Sequence, residues 1–289
     1  MTTSPGNESS QRRYTVRTDT HRVRMAWFEH GSSRIYFEAQ GSGDPILLLP
    51  GFAGSIEEFS DLRDSLVIAG YQVIAADLPG SGRSEPQPRT YSATFFEEDT
   101  YAFVALLQHL VSKPAHLLGF GNGGEITLLM AALMPEVARS VVTWGTVGVL
   151  NDPNGQLREA MYNVIDHPIS PLQQFRDSLV STYGKELART MTQSVVAAIS
   201  DIIKGGGELS RSKAEMINCP VLLIAGEHDI FAPPALACEL AARIRMAEVL
   251  VAEGAEHFVC IDHFAWLAQT VLDWLAKHSG QSQNMRGIK

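Results

Sequence analysis

Cysteine is scarce in this chain. Only Cys219, Cys238 and Cys260 occur among 289 residues. The count is odd and the spacing fits neither a zinc knuckle nor a disulfide framework, so a reducing compartment, a cytoplasmic location and no metal are expected. Long apolar runs are missing as well. No stretch approaches the roughly 20 residues needed to cross a bilayer, so no membrane partner is expected. Positive charge is also short, with 23 Lys and Arg against 32 Asp and Glu and a net charge of −9. With no basic run, nucleic acid and anionic lipid are not expected as partners. The N-terminal stretch Met1–Arg13 is polar and lacks the apolar segment of a secretory signal. Residues 1–20 and 280–289 read as disordered tails.

What remains is ordinary for a globular enzyme: 45% hydrophobic and 19% charged residues, in a chain long enough for one large core. Arg22–Glu29 and Arg34–Ala39 flank His30-Gly31-Ser32-Ser33 and read as an antiparallel hairpin. Beyond it, short apolar runs alternate with helical spacing. Strands are expected at Pro45–Leu49, Tyr71–Ala76, Ala115–Phe120, Ser140–Trp144, Val221–Ala225 and Glu248–Ala252. Helices are expected at Ile56–Ala69, Glu97–Val111, Asn122–Ala132, Ala235–Arg245 and Phe264–Lys277. Such alternation signals a mainly parallel sheet covered by helices on both faces, an α/β fold. The pattern breaks over residues 147–217, where only helical stretches such as Pro171–Tyr183 and Glu186–Ile203 are found. We read that segment as a helical lid, inserted into a core of residues 21–146 and 218–279.

Four motifs fall on strand ends. Pro50-Gly51-Phe52-Ala53-Gly54 follows the first buried strand, and Asp77-Leu78-Pro79-Gly80-Ser81-Gly82-Arg83-Ser84 the next. Gly119-Phe120-Gly121-Asn122-Gly123 joins a strand directly to a helix. Gly226-Glu227-His228-Asp229 and Gly254-Ala255-Glu256-His257 close the last two strands. In this order, over roughly residues 22–278, the chain resembles the α/β-hydrolase superfamily. The helix after Gly121 and the run Val141-Val142-Thr143-Trp144-Gly145-Thr146 look most like the valacyclovir hydrolase-like small-ester hydrolases. Those proteins carry Ser-Asp-Gly-Gly at the strand–helix turn, where this chain has Gly121-Asn122-Gly123-Gly124.

The resemblance implies a site. His257 would be the general base and Asp229 the acid that orients its ring. The N–H groups of Phe52 and Asn122 would form an oxyanion hole. Gly51, Trp144, Met161 and Phe258 would contact a small-molecule substrate or ligand, and Met161, Tyr162, Val164, Ile165 and Phe175 of the lid would make the pocket mostly apolar, although such residues serve equally as packing. No cofactor is called for. His228 and His263 are decoys, the second exposed or capping the last helix. Ser55 reads as a helix cap, Cys260 as a packed side chain, and Glu125 as a first-turn acid favoured by the helix dipole.

Gly121 stands where the superfamily places its serine nucleophile. Glycine adopts positive φ without steric cost, so a relaxed, inactive elbow accounts for it. Loss of the nucleophile from a triad lowers the rate about a million-fold and leaves roughly 10³–10⁴ over water, so ordinary serine-esterase turnover is excluded unless another nucleophile serves, and Ser55, Cys260 and Glu125 are poor candidates. Three readings stay open: an enzyme using the His257–Asp229 dyad on a small, mostly apolar carbonyl, ester or lactone-like substrate; a non-catalytic small-molecule-binding or receptor protein; and an ordinary serine esterase inactivated by a Ser-to-Gly substitution.

Overall fold

The computed structural model describes residues 23–279. The expected tails, and residues 21–22 of the expected core, lie outside the described residues. The described residues open with a hairpin, β1 (Arg24–His30) and β2 (Ser33–Gln40), turned at Gly31-Ser32. The alternation of strand and helix follows: β3 (Pro45–Leu49), α1 (Ser60–Ile68), β4 (Gln72–Ala76), α2 (Phe95–Leu110), β5 (Ala115–Phe120), α3 (Asn122–Leu133) and β6 (Ala138–Trp144). Three helices, α4 (Gln156–Tyr162), α5 (Gln173–Tyr183) and α6 (Lys185–Lys204), intervene before β7 (Val221–Gly226). The chain then runs through α7 (Pro234–Ala241), β8 (Ala247–Ala252), α8 (Val259–Asp262) and α9 (Phe264–His278).

The eight strands form one sheet in the order β1-β2-β4-β3-β5-β6-β7-β8. The hairpin joins antiparallel to β4, and every pairing from β4 through β8 is parallel. β3, β5 and β7 are buried at every position. Central parallel strands are covered on both faces, which is why these segments read as apolar runs, broken only by His116 in β5. The pleat sorts their side chains. Leu47, Leu49 and Leu117 face a core closed by α2 and α3, and Ile46, Leu48 and Leu118 face a second core closed by α1 and α9. The chain crosses over between β3 and its neighbours, so the loops after β3, β5, β6, β7 and β8 gather at one edge of the sheet. Open α/β sheets bind ligands at that edge.

Apolar periodicity missed helix α4 and the four-residue α8. α4 is seven residues long and buries none of them completely; its apolar positions Leu157, Ala160 and Met161 span little more than one turn, too short for a periodic signal. α7 ends at Ala241, earlier than expected; the N–H groups of Ala242, Arg243 and Ile244 bond back to Cys238, Leu240 and Ala241 in closing turns.

Candidate active site

The turn between β5 and α3 is fixed by close backbone approach. A Cβ on Gly123 would lie 2.4 Å from the Pro50 carbonyl oxygen, so no side chain fits there. Gly121 differs. Its backbone has φ 51° and ψ −116°, in the left-handed half of the map. A Cβ built on it meets only the Gly51 Cα, at 3.6 Å, an ordinary contact. Glycine holds this conformation without strain, and the position is spatially open.

The backbone donors here are distributed unevenly. The Gly121 N–H bonds to the Trp144 carbonyl at 3.0 Å, and the Gly123 N–H to the Pro50 carbonyl at 3.1 Å. The Asn122 N–H between them, and the Phe52 N–H on the β3 loop, make no hydrogen bond among the described residues.

Asp229 and His257 arrive on loops that are tied together. The His228 N–H donates to the Ala255 carbonyl at 2.8 Å, and Glu227 N–H to the Ala252 carbonyl at 3.0 Å. His257 Nδ1 and Asp229 Oδ2 lie 2.8 Å apart, with the carboxylate fully buried and the ring about one-fifth exposed. Asp229 Oδ1 accepts the N–H groups of Phe231 (2.8 Å) and Ala232 (2.9 Å). Burial alone would raise the Asp229 carboxyl. The hydrogen bond and charge of His257, with those two N–H groups, outweigh it and hold the group below the usual carboxylate range. Three phenyl rings surround the imidazole, those of Phe120, Phe231 and Phe258, at centroid distances of 5.1, 5.2 and 5.3 Å.

His257, Gly121 and Asn122 open onto a cavity of about 240 Å³. Half of the chain's 12 phenylalanines line it: Phe52, Phe96, Phe120, Phe175, Phe231 and Phe258. Gly51 and Met161 also line it, as the sequence suggested. Trp144 does not, which corrects the expectation of a substrate contact. Its side chain is fully buried beneath the site, stacked on Phe120 and edge-on to Phe59. As the last residue of β6, its side chain falls on the core side of the pleat. Val164 and Ile165 pack into a small cluster with Met191 and Leu179, while Tyr162 is exposed.

The expectations for Ser55 and His263 are also revised. Ser55 makes no side-chain cap; the nearby Ile56 N–H is taken by Asp77 Oδ1 at 2.8 Å. His263 precedes α9 but offers no side-chain cap, and it is neither exposed nor part of the cavity. His228 is exposed beside Glu227. Cys260 is packed against the core, and burial pushes its thiol up to about 12, which disfavours the thiolate a nucleophile needs. Glu125 stands in the first turn of α3, as expected, but does more than complement the helix dipole. It is 2% exposed and accepts the N–H groups of Val147 (3.0 Å) and Gly148 and the hydroxyl of Ser210 (2.6 Å). Burial raises this carboxyl, and those donors only partly offset it. Sequence reasoning missed Phe120, Phe231 and Arg158. Phe120 and Phe231 stand within two residues of Gly121 and Asp229, a signal that was available; Arg158 sits on the unrecognised α4.

Among the described residues no helix is long and apolar enough to cross a membrane. Residues 44–168 match the family described as alpha/beta hydrolase fold. The human protein "Serine hydrolase BPHL" is 30% identical over 203 residues, spanning 69% of this chain and 68% of that protein. The "Dihydrolipoyllysine-residue acetyltransferase component of acetoin cleaving system" of Pseudomonas putida is 26% identical, spanning 88% of this chain and 67% of that one. Among solved structures, a serine hydrolase from Cycloclasticus zankles superposes with a TM-score of 0.71 at 20% identity, covering 90% of this chain and all of that one. By sequence and by fold, this chain belongs to the α/β-hydrolase family.

Proposed function

We propose that the protein is an esterase- or lactonase-like enzyme that acts without an acyl-enzyme, with His257 as general base toward water. The observation that carries this reading is the 2.8 Å contact between His257 Nδ1 and Asp229 Oδ2, facing the same cavity as the open space at Gly121. A water in that space would pass its proton to Nε2 while its oxygen adds to the substrate carbonyl. The Asp229 carboxylate would hold the ring and stabilise the imidazolium. The unpaired N–H groups of Phe52 and Asn122 would take the developing oxyanion, and the His257 proton would then go to the leaving oxygen. The phenylalanine lining selects a small, largely apolar acyl or ring portion and excludes bulk water. Helices α4–α6 would act as the lid. A substrate that carries its own acidic proton would be served by the same base.

The test is turnover of a panel of small esters and lactones, with rapid-quench detection of any covalent intermediate. Hydrolysis without a burst or acylated protein is expected, and His257→Ala should lower kcat/KM by about 10²–10⁴-fold, the range for loss of a general base. Turnover untouched by His257→Ala would overturn the reading. A panel that binds but never reacts would favour a non-catalytic binding protein.

A further inference from the structure

The cavity is lined mainly by apolar side chains, and two of its acidic groups are already saturated. Glu125 is satisfied by three donors. Asp152 accepts the N–H groups of Leu157 (3.3 Å) and Arg158 (3.0 Å), together with Arg158 Nε at 3.0 Å. Among the described lining residues, Arg158 is the only lysine or arginine. Its guanidinium is held along one edge, through Nε and through Nη2, which donates to the Asp152 carbonyl at 3.1 Å. Nη1 makes no hydrogen bond among the described residues, and the side chain is about one-quarter exposed. Two of five donors are therefore committed, and the planar fork is fixed in place by a carboxylate pulled below its ordinary range.

We propose that Arg158 is a specificity residue that receives a carboxylate borne by the substrate, separate from the group that reacts at His257. The substrate class is then a half-ester of a dicarboxylic acid, or a lactone or ester carrying a free carboxylate. A fixed guanidinium with unused N–H groups in a largely apolar cavity matches a carboxylate in geometry as well as charge. Asp152 cancels much of the long-range field of Arg158, and the chain as a whole carries −9. Selection for a carboxylate must therefore come from direct hydrogen bonds at this position, whose worth is about tenfold to hundredfold in affinity.

This inference rests on the hydrolytic reading for its substrate class, but its test does not need turnover. Calorimetry on the full chain would compare the monomethyl and dimethyl esters of succinic, adipic and suberic acids, with hydrolysis followed separately. At the best chain length the half-ester should bind about tenfold to hundredfold more tightly than the diester. Arg158→Met should erase that preference while diester binding stays, and Arg158→Lys, which keeps the charge but not the fork, should restore only part of it. Equal binding of half-ester and diester by the natural protein would overturn the proposal, as would an undiminished preference in either folded variant. A half-ester preference without hydrolysis of any member would sustain the carboxylate site and sink the hydrolytic reading instead.

Discussion

Gly121→Ser is the most direct perturbation of the site, and its effect can be worked from the backbone. The Cβ introduced has room, with Gly51 Cα at 3.6 Å as its only neighbour. The conformation, φ 51° and ψ −116°, is one that L residues rarely adopt. Such strain costs about 1–3 kcal/mol, and the lower entropy of the unfolded serine chain returns about 0.4–1 kcal/mol. A net loss near 1 kcal/mol lowers Tm by about 2–4 °C in a domain of this size. The variant should fold. Its hydroxyl would lie in the cavity with the His257–Asp229 pair and the free Asn122 and Phe52 N–H groups.

The catalytic consequence is far larger than the structural one. A triad nucleophile is worth up to about a million-fold in rate. Even a poorly aligned serine should therefore raise hydrolysis of small p-nitrophenyl esters by at least about 10²-fold. The natural protein should be inert to serine-directed fluorophosphonate probes, whereas Gly121→Ser should label, and Gly121→Ser/His257→Ala should not. Intact mass gives the labelled fraction and a thermal melt gives the fold. A Gly121→Ser protein with a near-native melt but neither labelling nor ester turnover would refute the proposed positions of base and oxyanion donors. Labelling of the natural protein would reveal a nucleophile other than those considered.

Two further outcomes test the buried frame. Trp144→Phe should lower stability by about 1–3 kcal/mol through a cavity beside Phe59, while ligand affinity stays within about twofold because the ring does not line the site. His116 is buried between the Ser140 and Ser279 hydroxyls, and burial, with the Arg139 charge, lowers it from 6.5 to about 4. The neutral ring is favoured in the fold, so below pH 6.5 the unfolded chain takes up a proton that the folded one refuses until about pH 4. Stability should fall with pH through that window by on the order of 3 kcal/mol. Urea melts of His116→Asn between pH 7 and 4 should show a shallower slope than the natural protein, and parallel slopes would refute this.

The sheet was legible because its central strands are apolar almost throughout, His116 of β5 being the exception, and each ends at a glycine-containing loop. β3, β5 and β7 could be placed to within a residue, and the order of the motifs along the chain identified the family. The pairing of Asp229 with His257 was legible for the same reason, since both follow strands whose ends must meet at one edge. Trp144 was misjudged because a strand end lies at that edge whichever way its side chain points, and the pleat sends this one into the core. α4 was invisible because it is only seven residues long, and Leu157, Ala160 and Met161 make too short a stripe to register as a period. Arg158 was lost with it.

Glu125 shows the limit most clearly. A carboxylate in the first turn of a helix is locally favourable, and nothing nearby in sequence argues for more. Its partners are Val147 and Gly148, at the start of the segment between β6 and β7, and Ser210, near its end. The two ends are also joined by backbone bonds, with Leu150 N–H to the Gly207 carbonyl at 2.7 Å and Leu209 N–H to the Gly148 carbonyl at 3.1 Å. Glu125 thus pins the base of the helical insertion to the helix that begins at Gly121. Glu125→Ala leaves three buried donors without acceptors, at about 1–3 kcal/mol each. The backbone bonds between the ends would remain, so the loss should fall more heavily on the insertion than on the sheet. Limited proteolysis should cut Glu125→Ala within residues 147–217 at least tenfold faster than the natural protein, while hydrogen exchange in β3, β5 and β7 slows or quickens far less. Glu125→Gln retains an acceptor oxygen and should lie between the two. Uniform loosening of sheet and insertion in Glu125→Ala would mean that this carboxylate supports the core as a whole, and its assignment as the anchor of the insertion would fail.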